Sequence, residues 1–310
     1  MNSNVRQAAL VMVLTSIVGI GFVVWITTSA PEVPPATTVT TEARVVMANP
    51  DGERDPNAPF EPKVGQPGKD VVWVPTGEEL VEKMLDLAEV TADDYVIDLG
   101  SGDGRTVIAA ARRGATAVGI EFNPDMVALS QKNARAARLA NRARFIQGDL
   151  FEADLSKATV ITMFLLPRIN LQLRPKLLDL APGTRIVSNS FDMGDWEADA
   201  TDNVTGEDCR SWCNALFWIV PAQVDGTWQL PEGPLALTQM FQEVDGTLGG
   251  TAITDPALRA DRLTFRAGAT TYTATVNGDT MTGSSGGRSW RARRTARPPR
   301  TPPSDAVAEN

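Results

Sequence analysis

Between residues 77 and 192 the chain switches repeatedly between two hydrophobic rhythms. "GEELVEKMLDLAEV" sets Leu80, Val81, Met84, Leu85 and Leu87 on one helical face. "YVIDL" (95–99) is a short unbroken apolar run of the kind that fills a buried strand, and "RTVIAAARRG" returns to helical spacing and stops at a glycine. "TAVGIEF" predicts a second strand ending at Glu121. The following helix, "NPDMVALSQKNARAARLA", opens with an Asn cap and a proline in its first turn. "ARFIQGD", "ATVITMFLLP" and "TRIVSNSFD" read as three more strands, with the helix "RINLQLRPKLLDL" between the last two. Such alternation predicts an α/β fold, a mostly parallel sheet with helices on both faces, whose ligands bind beyond the carboxyl ends of the strands.

After residue 214 the rhythm changes. "GTWQL", "LALTQMFQEVDGTLGG", "DRLTFRAG" and "TTYTATVNGDTMTGSSGGRSW" are short alternating runs separated by Gly-Asp, Asn-Gly and Gly-Gly pairs, which predicts a small antiparallel β domain over 222–293, with "VNGDTM" its clearest turn. The α/β domain then covers 71–221, and an Arg- and Pro-rich tail occupies 294–310. Residues 31–70, rich in Pro, Thr and Ala, read as a flexible linker.

Ahead of the linker, "AALVMVLTSIVGIGFVVWI" (8–26) holds no charge. As a helix, 19 residues would span about 28 Å at ~1.5 Å per residue, the thickness of a bilayer core, so residues 1–30 read as an uncleaved single-pass anchor. Arg6 and the terminal amine on one side, against Glu32, Glu42 and Arg44 on the other, put the folded part outside the cytoplasm.

The net charge of −9 and pI near 4.7 argue against a general nucleic-acid binder. The chain has no histidine, which removes the commonest general base and zinc ligand, and Cys209 and Cys213 alone make no metal cage. The spacing CxxxC leaves a reduced pair and a disulfide equally open.

Candidate chemistry concentrates in "YVIDLGSGDGRT". Gly100, Gly102 and Gly104 form a strand-to-helix turn where a ligand can approach the main chain. Arg105 stands where a dinucleotide fingerprint needs its third glycine, and no GxxxxGK[ST] loop exists. An acid directly before the glycines repels pyrophosphate and welcomes a cation. Three successive strands end in acids, Asp98, Glu121 and Asp149, a row of acceptors for amines and hydroxyls.

Residues 71–196 thereby resemble the Rossmann-like, seven-strand, class I S-adenosylmethionine-dependent methyltransferases. The resemblance implies S-adenosyl-L-methionine as cofactor: Gly100, Ser101 and Gly102 under its methionine part, Asp98 near its amino group, Glu121 on the ribose hydroxyls, Asp149 accepting from the adenine amine and Leu150 packing on the ring. "VVWVPTGEELVEKMLDLA" and "FLLPRINLQLRPKLLDLAPGTRIVSNSFDMGDW" are similar to the ATP synthase c-subunit lysine methyltransferases and related archaeal protein-lysine methyltransferases. That group implies closure of Pro75 and Thr76 over the cofactor, although Thr76 and Glu79 also fit a helix capping box. It implies a protein substrate with an accessible lysine, a membrane-embedded one suiting the anchor; charge and composition add the expectation of no nucleic acid and no metal. On the acceptor side, Phe164, Pro167 and Trp196 are candidate channel walls and Asp192 a candidate to orient or deprotonate the amine. The alternatives are an inactive methyltransferase-fold scaffold and a small-molecule methyltransferase. Because the cofactor is made in the cytoplasm, it opposes the charge-based orientation, and the side of the folded domain stays open.

Overall fold

The computed structural model describes residues 60–205, 209 and 211–297. No described helix is long and apolar enough to cross a membrane, and the apolar segment 8–26 lies outside the described residues. The described residues belong to one compact unit.

The first half is the expected α/β alternation: α1 (Glu78–Leu87), β1 (Tyr95–Leu99), α2 (Arg105–Arg112), β2 (Thr116–Glu121), α3 (Pro124–Ala136), β3 (Ala143–Gln147), β4 (Val160–Met163), α4 (Pro167–Leu178) and β5 (Arg185–Asn189). Two further strands, β6 (Ala200–Asn203) and β7 (Asn214–Ile219), complete a seven-stranded sheet of order β3-β2-β1-β4-β5-β7-β6. β1 to β5 pair in parallel, while β7 runs antiparallel to both β5 and β6. Four of the five β1 residues are buried and β4 is buried throughout, as befits strands covered on both faces. The order reverses at β1, between β2 and β4, so the ends of these three strands and their loops frame the crevice.

Local chemistry sets the element ends. Asn123 caps α3 by accepting from the Asp125 N–H at 2.9 Å, with Pro124 in the first turn. The capping box expected at α1 does not form. Gly77 is the cap residue, and Thr76 Oγ1 instead accepts from Asn189 Nδ2 at 3.2 Å, tying the entry of α1 to the end of β5.

Nine strands, β8 (Gly226–Leu230), β9 (Gly233–Met240), β10 (Glu243–Leu248), β11 (Thr251–Ala252), β12 (Thr254–Arg259), β13 (Arg262–Ala267), β14 (Thr270–Asn277), β15 (Thr280–Ser285) and β16 (Arg288–Ala296), form an antiparallel sheet of order β11-β10-β9-β8-β16-β15-β14-β13-β12 that curls until β10 and β12 approach each other. Trp228, Leu263, Phe265 and Met281 fill its interior. The "VNGDTM" turn is the β14–β15 hairpin, with Asn277 opposite Thr280 and Gly278 at φ +57°. Trp196 joins the two halves: it is wholly buried, stacks on Phe241 at 5.9 Å, and its carbonyl accepts from Trp218 Nε1 at 2.8 Å. Gln242 Nε2 donates to the Glu197 carbonyl alongside.

Candidate active site

The turn after β1 owes its shape to its glycines. Gly100, Gly102 and Gly104 have φ of +76°, +52° and +83°, the left-handed region that side chains disfavour. A Cβ on Gly102 would lie 2.5 Å from Trp73 Nε1, and one on Gly100 3.1 Å from a Leu165 methyl. The N–H groups of Gly100 and Ser101 both donate to the Ile120 carbonyl, which hangs the turn on β2. Glu121 fixes it from the side, accepting from Gly102 N–H and Asn123 N–H at 2.9 Å each.

Every residue expected to hold a cofactor, Pro75, Thr76, Asp98, Gly100, Ser101, Gly102, Glu121, Asp149 and Leu150, lines one cavity beyond the strand ends. Asp98 is buried at its base and accepts from Thr162 Oγ1 at 2.6 Å. Burial, reinforced by the charges of Glu121 and Asp103 and opposed by the Thr162 hydrogen bond, pushes its carboxyl up to about 7. The Ser101 hydroxyl is buried without a hydrogen-bond partner.

Residues 65–70, assigned to the linker on composition, instead fold over the cavity. Gly65 N–H donates to the Trp73 carbonyl and Trp73 N–H to the Gln66 carbonyl, closing a narrow strap that Arg168 holds by donating to the Asp70 carbonyl. The strap brings Lys69 into an ion pair with Asp149 and 5.1 Å above the Phe122 ring. Asp149 also accepts from Phe151 N–H at 2.9 Å. The hydrogen bond from Lys69, then that from Phe151, holds its carboxyl below the usual range. The acceptor expected for an adenine amine is therefore shared with a lysine.

The acceptor side departs further from expectation. Phe164 lines the cavity, but Pro167 is the exposed first residue of α4 and does not. Asp192 is exposed and outside the cavity, its carboxylate accepting from Gly194 N–H at 3.2 Å. Trp196 serves the junction with the β domain, so it is no channel wall either. Their places are taken by Phe191 and Trp212. Phe191 stacks on Phe164 at 5.9 Å, and Trp212 meets Phe164 edge-on at the same distance. Both line the cavity. Phe191 is held by its own carbonyl, which accepts from Ser188 Oγ at 2.7 Å and Asn170 Nδ2 at 3.1 Å. Trp212 sits in a loop closed by the Cys209–Cys213 disulfide, which resolves the open reading of that pair. An aromatic residue between two close cysteines was the available signal, since a loop closed over so few residues has no interior in which to bury an indole.

Comparison with known proteins supplies the family. The family model of the ANTKMT methyltransferase domain matches residues 98–200. A protein-lysine N-methyltransferase of Saccharolobus islandicus is 45% identical over 129 residues, 41% of this chain and 80% of the relative. The chain belongs to the class I S-adenosylmethionine-dependent methyltransferases. The human ATP synthase c-subunit lysine N-methyltransferase is 35% identical over 136 residues, 44% of this methyltransferase and 57% of the human protein. A solved RNA methyltransferase of Salinibacter ruber, in complex with S-adenosyl-L-homocysteine, is 49% identical, covering 49% of this chain and 96% of that one, with a TM-score of 0.46.

S-adenosylmethionine is the methyltransferase's cofactor, and the cavity has the chemistry to receive it. Glycines leave main chain bare, Ser101 offers an unused hydroxyl, and five acids, Asp70, Asp98, Asp103, Glu121 and Asp149, outnumber the two cations Lys69 and Arg105 around a space suited to a cation rich in hydrogen-bond donors. Among the described residues no cluster of metal-ligating side chains occurs.

Proposed function

We propose that the protein is a membrane-anchored enzyme that N-methylates lysine side chains of protein substrates. One observation carries the reading: all nine expected cofactor contacts converge on a cavity that also holds an aromatic trio, Phe164, Phe191 and Trp212. The similarity to lysine methyltransferases supports lysine as the acceptor. The uncharged segment 8–26 supports the anchor, a single-pass one.

S-adenosylmethionine, when bound, supplies an electrophilic methyl group on a sulfonium. Asp98 and Ser101 would hold its amino-acid end against the glycine turn, Glu121 the ribose hydroxyls, and Asp149 with Leu150 the adenine. A neutral amine is already a nucleophile, so the chain's remaining tasks are alignment and exclusion of water. The aromatic trio suits both: its faces would pack along an aliphatic lysine stem, and its apolar bulk would exclude water from the approach. No histidine is available as a base, and the Asp192 carboxylate points elsewhere. Proton loss to solvent before entry fits this arrangement.

The test is incubation of the full-length chain with labelled cofactor and membrane protein from cells lacking it, followed by mass spectrometry of the modified residues. Methylated lysines that vanish with an Asp98→Ala, Glu121→Ala double variant are expected. Label on nucleic acid or small molecules alone would refute the assignment.

A further inference from the structure

The charge of the chain is unevenly placed. Net charge is −9, yet residues 262–297 contain seven arginines and a single carboxylate, Asp279. That aspartate is engaged at a hairpin end by Arg294 and Arg297. The sheet decides where the remaining arginines go. Along β13 (Arg262–Ala267), β14 (Thr270–Asn277), β15 (Thr280–Ser285) and β16, side chains alternate between the interior and the outside. Leu263, Phe265, Tyr272, Met281 and Trp290 are buried within. Arg262, Arg266, Arg291 and Arg293 are therefore outside and exposed.

Register turns these positions into a pattern. One rung across four strands reads Arg262, Thr275, Thr282, Arg291; the next reads Thr264, Thr273, Ser284, Ser289. The outer arginines of the first rung stand about 14 Å apart at ~4.8 Å per strand, with hydroxyls between them. Among the described residues, none of the four outward arginines has an ion pair. The acids Glu243 and Asp245 lie on β10 (Glu243–Leu248), separated from β16 by β9 and β8 and from β13 by β12, while exposed Asp255 on β12 and Asp261 in the turn before β13 edge the face without an ion pair to it.

We propose that this outer face of β13–β16 docks on anionic phospholipid headgroups, laying the β domain against the bilayer surface. Guanidinium and hydroxyl donors spread over a sheet match an array of phosphates, whose position needs no shape-complementary pocket. The face carries no exposed aromatic ring, because Phe265, Tyr272 and Trp290 all turn inward. Bases of a single-stranded nucleic acid would find nothing to stack on, and a protein partner no apolar anchor. The uncharged segment 8–26 of the same chain independently favours a membrane as the neighbouring anion.

The experiment is arginine footprinting with phenylglyoxal on the full-length chain in nanodiscs, read by mass spectrometry. Discs of phosphatidylcholine alone are compared with discs containing phosphatidylglycerol. Anionic discs are expected to slow modification of Arg262, Arg266, Arg291 and Arg293 about fivefold, as each basic group near such a surface gains roughly that factor in binding. Exposed Arg135 and Arg138 on the α/β half serve as references. Protection should disappear in Arg266→Glu, Arg291→Glu, Arg293→Glu and in high salt. Equal reactivity on both discs would overturn the proposal without touching the methyltransferase reading. So would protection by single-stranded RNA or an acidic peptide but not by anionic discs.

Discussion

Asp98 on β1 accepts a 2.6 Å hydrogen bond from Thr162 on β4, one strand over in the sheet. That hydroxyl partners a buried carboxylate whose value burial has pushed up to about 7. Between the ordinary carboxyl value of 3.8 and about 7, the folded chain keeps a proton that the unfolded chain has lost. Stability of the cofactor-free protein should therefore fall as pH rises through that window. A bound ammonium reverses the preference, since it favours the carboxylate. Cofactor affinity should climb with pH until about 7 and level off above, with proton release on binding below it. Calorimetry at pH 6 in buffers of different ionisation heat checks this. Identical apparent enthalpies would show that Asp98 does not lose its proton to the cofactor.

Gly102 offers a test of the bare turn. Gly102→Ala forces a left-handed residue, at about 1–2 kcal/mol, and drives a methyl into the Trp73 indole. Weaker cofactor binding and a lower melting temperature are expected. Gly77→Ala is the matched control, because Gly77 has φ −58° and open space around its Cβ position. Equal effects of the two would mean that the turn tolerates side chains.

Lys69 competes for the carboxylate assigned to adenine. Lys69→Ala frees Asp149 and removes a positive charge from the path of a cationic ligand. Tighter binding of S-adenosylmethionine is expected, with thermal melting essentially unchanged because the pair is partly solvated. A loosened cofactor would show instead that the strap, rather than the vacated carboxylate, governs affinity.

The convergence of the expected cofactor residues on one cavity was legible because their places are dictated by strand ends and by backbone that only glycine adopts. Asp98, Glu121 and Asp149 fall where β1, β2 and β3 finish or just beyond, positions that periodicity alone marks. The acceptor side depends on contacts between distant segments. Phe164, Phe191 and Trp212 come from three loops whose meeting no local pattern announces. Thr76 shows the same limit: a local capping box lost to a bond with Asn189, more than a hundred residues away. Composition misled at 65–70, where Gly, Pro and Lys read as tether yet close over the cavity.

Trp196 and Trp212 separate structure from function. Trp196 is 0% exposed and stacks on Phe241. Trp196→Ala should cost about 3–5 kcal/mol of stability by leaving a large void, measured by denaturant unfolding, while cofactor affinity of the folded protein stays unchanged.

Trp212 is 46% exposed, so its removal has little core packing to lose. Its backbone is left-handed at φ +56°, and the Cys209–Cys213 disulfide closes the loop that carries it. Holding a large exposed ring over a cavity is unfavourable in water unless something else covers it, and an incoming lysine stem would do so. Trp212→Ala should therefore reduce kcat/KM for a protein acceptor about tenfold or more, the scale expected when a reactant loses its alignment, while cofactor Kd stays fixed. Cys209→Ser with Cys213→Ser should act in the same direction more weakly, since the indole remains but its loop is released. Unchanged kcat/KM in Trp212→Ala would remove the aromatic trio from the acceptor path and leave Phe164 and Phe191 as packing for the cofactor alone.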